Sequence, residues 1–108
     1  MAKIKGYDFF YEPDEVNTPE KIKSLIEKGR IKLPGDLINA ILLKLSEEGK
    51  INSLRELEKY EKVLISGINE MKNDLIEEHK LGEKENVDWK KFHRELMLLA
   101  VDEFFSAE

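Results

Sequence analysis

Cysteine is absent from this 108-residue chain. That single absence excludes a disulfide framework, a thiolate zinc site and a cysteine nucleophile together. Histidine occurs only at His79 and His93, and neither belongs to an HExxH or a Glu-x-x-His pattern. A phosphate-cradling P-loop, a dinucleotide fingerprint and a GxSxG nucleophile elbow are missing too. No window approaches the ~18 uncharged apolar residues that mark a membrane span. Met1 to Phe10 carries Lys3, Lys5 and Asp8 where a secretory signal would need an apolar run. A cytoplasmic location with no membrane contact is therefore expected. The net charge of −5 works against nonspecific nucleic-acid binding, whose affinity comes largely from neutralised phosphates.

What is present is charge and helical periodicity. Charged residues make up 38% of the chain, well above an ordinary ~25%. The 41% that is apolar recurs at helical spacing and suffices for one core. The expected architecture is mostly α: a single domain over 1–108, with helices at about 18–28, 36–48, 53–81 and 87–106. Residues 1–17, with Tyr7, Phe9, Phe10 and Tyr11 among acids, form an extended arm or a short strand.

Each helix carries its own signals. Thr18 is an N-cap with Pro19 at the first helical position, and Gly29 is a C-terminal stop. Between them, Ile22, Leu25 and Ile26 form one apolar face. Arg30 to Leu33 reads as a short strand or a linker, ended by Pro34 and Gly35. In the second helix Leu37, Ile38, Ala40, Ile41, Leu42, Leu43 and Leu45 fill seven of nine consecutive positions. A helix apolar nearly all round must be covered nearly all round, by its own domain or by another chain. Ser53 and Glu56 make a capping box at the start of the third helix, and Gly82 is placed to end it. Leu54, Leu57, Glu61, Leu64, Ile68, Met71 and Leu75 alternate in steps of three and four. This is a heptad-like seam with one polar break at Glu61. Gly67 costs that helix about 1 kcal/mol relative to Ala, which a close helix crossing or a bend would explain. The fourth helix starts near Asn86 or Asp88, with Trp89, Phe92, Leu96, Leu99 and Ala100 in one stripe, broadened by Met97, Val101, Phe104 and Phe105. Its charges oppose the helix dipole, with Lys90 and Lys91 near the start and Asp102 and Glu103 near the end. Tertiary packing is expected to hold it.

Function follows less directly. Serines lack an associated base, and 23 acids select no catalytic pair, so no enzyme constellation is visible and neither a catalytic residue nor a cofactor is assigned. The leading expectation is a protein–protein interaction module, of adaptor, assembly-factor or regulator type, whose protein partner the sequence does not name. Its apolar surplus lies at Leu42, Leu64, Ile68, Met71, Leu75, Phe104 and Phe105, and a homodimer is the simplest way to cover it. The alternative is a small dimeric DNA-binding regulator. Lys21, Lys23, Lys28, Arg30 and Lys32 face only Glu20 and Glu27, giving segment 21–32 a basic excess. Against it, the second helix offers mainly Asn39 and Lys44 to base edges. A second alternative, a carboxylate–histidine metal protein, needs His79 and His93 to converge with an acid, although each alone reads as a surface residue. Glu70, Asp74, Glu77 and Glu78 form an acidic ridge, read first as a solvated face and second as a docking surface for a basic partner.

Overall fold

The computed structural model describes residues 4–106. Four α-helices carry the fold: α1 (Pro19–Glu27), α2 (Pro34–Glu47), α3 (Leu54–Glu78) and α4 (Trp89–Phe104). One-turn 3-10 segments stand at Pro13–Glu15 and Leu81–Glu83. No strand occurs among the described residues, so the N-terminal segment is an arm and the stretch 30–33 is a linker. Residues 1–3 of the arm lie outside the described residues.

The helix starts obey their caps. The Lys21 N–H donates to Thr18 Oγ1 (3.2 Å), the Glu56 N–H to Ser53 Oγ (3.2 Å) and the Lys91 N–H to Asp88 Oδ1 (3.1 Å). The expected capping box at Ser53 is half formed, because the Glu56 carboxylate accepts from the Asn52 N–H instead (3.0 Å). α2 begins two residues earlier than expected. Pro34 does not terminate the linker but takes the first helical position, where a missing N–H costs nothing, and the Asp36 carboxylate reaches back to the Leu33 N–H (3.3 Å).

α1 and α2 end alike. Gly29 and Gly49 both adopt φ of 77°, and the Arg30 and Lys50 N–H groups return to the carbonyls of Leu25 and Leu45 (2.9 Å each). This reversal needs a left-handed residue, which glycine supplies without strain. In both cases the next isoleucine, Ile31 or Ile51, plugs the core. α3 ends differently from expectation. It stops at Glu78, and Lys80, not Gly82, takes the left-handed conformation at φ 51°. Turning there brings Leu81 back to the edge of the core.

α2 is the central helix: residues 37–46 are buried without a break. Its apolar circumference is covered by the chain itself. Leu57, Leu64 and Ile68 of α3 and Phe92, Leu96, Met97, Ala100 and Val101 of α4 share its core, which Ile22, Leu25 and Ile26 of α1, packed chiefly on α4, complete. The buried stripe of α4 is rotated from the expected one, leaving Trp89 and Leu99 outside it at 43% and 48% exposure. Gly67 sits where α3 meets α4. A Cβ there would lie 3.2–3.3 Å from the Phe104 ring, so the close crossing accounts for the glycine.

Two buried polar side chains of α2 organise the surroundings. Asn39 clamps the arm as a strand would, its amide donating to the Asp8 carbonyl and accepting from the Phe10 N–H, both at 2.9 Å. Lys44, 2% exposed, bonds Glu48 at 2.8 Å and stands 4.6 Å from the centre of the Phe105 ring. The polar break in the α3 seam also has a partner, since the Tyr7 hydroxyl donates to Glu61 (3.3 Å). Burial, and then the Glu61 charge, push the Tyr7 phenol above its ordinary value.

Candidate binding groove

The residues expected to form an interaction surface are mostly inside. Leu42, Leu64, Ile68 and Phe105 are buried, and Met71, Leu75 and Phe104 are half-buried against the same core. One open apolar surface arises elsewhere, where the end of α1 and the linker into α2 meet the first turns of α4.

Local structure builds both walls. The glycine reversal after α1 sends Ile31 inward and leaves Lys32 and Leu33 outside. The Asp36 carboxylate then fixes Leu33 by its N–H, which holds its side chain outward at 59% exposure. On the other wall, the Asp88 cap starts α4 so that Lys90, His93 and Arg94 fall on one face by their spacing of three and four. Phe92 enters the core and meets Trp89 edge-on at 5.3 Å, which supports the exposed indole from behind. The result is a groove of about 510 Å³. Ile26 and Ile31 form its floor, Leu33 and Trp89 its apolar edges, and Lys32, Lys90 and Arg94 its charged rim.

The formal charges on the rim are all positive. Among the described residues no carboxylate lines the groove, and Lys32, Lys90 and Arg94 make no ion pair. Three neighbouring cations are used by the fold. Lys23 pairs with Asp102, tying α1 to α4, and Arg30 bonds Glu15 at 2.7 Å. Lys21 donates to the Asp14 carbonyl at 2.9 Å. The basic segment 21–32 is thus divided: its first part and Arg30 anchor the arm and α4, while Lys32 faces the groove.

Other candidates gather less. A cleft of about 640 Å³ lies beneath the arm, but Lys5, Asp8, Glu12 and Glu47 give it mixed charge. The acidic ridge on α3, Glu70, Asp74, Glu77 and Glu78, is exposed throughout. Among the described residues no group of three or more His, Asp and Glu side chains stands close enough to hold a metal ion, so His79 and His93 do not converge with an acid. His93 instead packs its ring 5.6 Å from Phe92. α2 has no free face along 37–46 to offer a DNA groove. Among the described residues no helix is long and apolar enough to cross a membrane.

Sequence reasoning noted the misplaced lysines of α4 but not the groove. The signal was there: Lys90 and Lys91 stand where the helix dipole disfavours cations, next to a tryptophan on the exposed first turn. No known protein family, curated protein or solved structure matches this chain.

Proposed function

We propose that this protein acts by binding another protein, as a small helical adaptor, assembly factor or regulator, and that the groove between the α1–α2 linker and α4 is its site. The observation that carries the reading is the juxtaposition of exposed Leu33 and Trp89 with a rim of three cations and, among the described residues, no lining carboxylate. A tryptophan edge beside an apolar floor has the composition of an interface anchor. The apolar surplus that favoured a homodimer is covered within the chain, so this reading assigns the groove to a different protein rather than to a second copy.

A photo-crosslinking residue placed at Leu33, and in parallel at Val63 on the outer face of α3, tests the site in the native cell. One protein captured stoichiometrically from position 33 and not from 63 is the expected result. Equal capture at both, or none at 33, would remove the groove as the site. DNA binding is the competing reading. It requires affinity for a duplex that falls steeply with salt and depends on Lys32 and Arg94.

A further inference from the structure

We infer that the partner of this groove is an acidic amphipathic helix, with an apolar anchor side chain seated between Leu33 and Trp89 and carboxylates paired with Lys32, Lys90 and Arg94. The inference rests on the binding reading above and specifies its ligand.

Three observations select this occupant. The first is charge. Three cations without partners surround an apolar floor, and among the described residues no acid lines the site. An occupant that supplies carboxylates relieves their mutual repulsion, whereas a basic one adds to it. The second is backbone chemistry. Among the described residues there is no strand, so no sheet edge is available to pair with an extended peptide. A segment entering an apolar groove must then satisfy its own N–H and C=O groups, as a helix does. The third is shape and amount of charge. Ile26 and Ile31 lie recessed behind Leu33 and Trp89, so the apolar surface is concave and fits an inserted side chain better than a flat bilayer. The chain as a whole is at −5, which works against an extended polyanion. A short acidic helix matches a patch of three cations; a duplex with a charge every ~1.7 Å extends well past it.

The test is selection of binders to the full chain from a displayed library of random peptides. Affinity of the enriched peptides is then measured against the native protein, Trp89→Ala and Arg94→Glu, each verified as folded by circular dichroism. The expected peptides carry net negative charge and apolar residues at spacings of three and four. Their affinity should fall at least about tenfold with either substitution and weaken with salt. Changing one peptide glutamate to arginine should restore binding to Arg94→Glu, a charge swap that a merely structural Arg94 would not show. Enriched peptides that need Trp89 but are neutral or basic would overturn the acidic partner and leave the groove standing as a binding site. Peptides indifferent to both substitutions, or no enrichment, would overturn both. So would Arg94-dependent binding to duplex DNA or to phosphatidylserine–phosphatidylcholine vesicles in place of peptides.

Discussion

The C-terminal half of α4 buries Ala100 and Val101, lays Phe104 against the bare Cα of Gly67 and stands the Phe105 ring beneath the Lys44 ammonium. Its Asp102 pairs with Lys23. The N-terminal half of the same helix holds Phe92 in the core but leaves Trp89 43% exposed, with Lys90 and Arg94 unpaired among the described residues. One periodic stripe therefore serves two ends. At the C-terminal end Phe104, Phe105 and Asp102 each meet a partner; beside the α1–α2 linker Lys90 and Arg94 make no ion pair among the described residues. Because cations at a helix start are locally unfavourable, their presence there is not explained by the stability of α4.

Breaking the covered side should give the largest effects. Leu42 is fully buried in α2. Leu42→Asp places an unpaired charge there, and a loss of about 4 kcal/mol or more is expected, seen as a collapsed thermal transition. Retention of the native melting curve would mean α2 is not central. Next come the two aromatic ends of α4. Phe105→Ala should cost about 3 kcal/mol, since it empties a core position and uncovers Lys44. Trp89→Ala, at the open end, should cost about 1 kcal/mol or less in the same urea titration. Equal losses at the two positions would erase the distinction between the halves.

A smaller effect tests the crossing itself. Gly67→Val adds a branched side chain 3.2 Å or less from the Phe104 ring, and about 2 kcal/mol of destabilisation is expected. In a double-mutant cycle with Phe104→Ala most of that loss should disappear, because the clash has gone. Strict additivity would show that Gly67 is required for a reason other than this ring.

Much of the fold was legible. Seven apolar positions of nine marked α2 as a helix covered on all sides, and Thr18, Ser53, Asp88 and Gly29 marked ends that the structure keeps. Pro34 was misread because a proline that ends a linker and one that opens a helix look alike in sequence. The α3 terminus was misread because Lys80 takes a left-handed conformation for which Gly82 was the better local candidate. The seam on α3 was visible, but periodicity says only that a face is covered, not whether the cover is the same chain. The groove was the least legible feature. Its walls come from residues 26–33 and 89–94, distant in sequence, and each side chain taken singly is ordinary.

The last test concerns how α2 carries a buried cation beside Phe105. Burial pushes the Glu48 carboxyl up, but its hydrogen bond and charge interaction with Lys44, joined by Lys50, outweigh this and hold it below its usual value. The folded value thus lies under the unfolded one, roughly 4.3. The sign follows: the ionised pair stabilises the fold above that pH, and the stabilisation is lost as pH falls through the lowered folded value. Glu48 is about one-third exposed, at 34%, so solvent screens part of the effect. Glu48→Gln retains an acceptor for Lys44 and removes only the charge. It should cost about 1 kcal/mol at neutral pH in urea denaturation. The gap between native protein and variant should then close as pH falls through the lowered folded value, below which both side chains are neutral. A gap that persists at low pH would mean that Glu48 holds Lys44 through geometry alone, and that the covered end of α4 owes nothing to this carboxylate's ionisation.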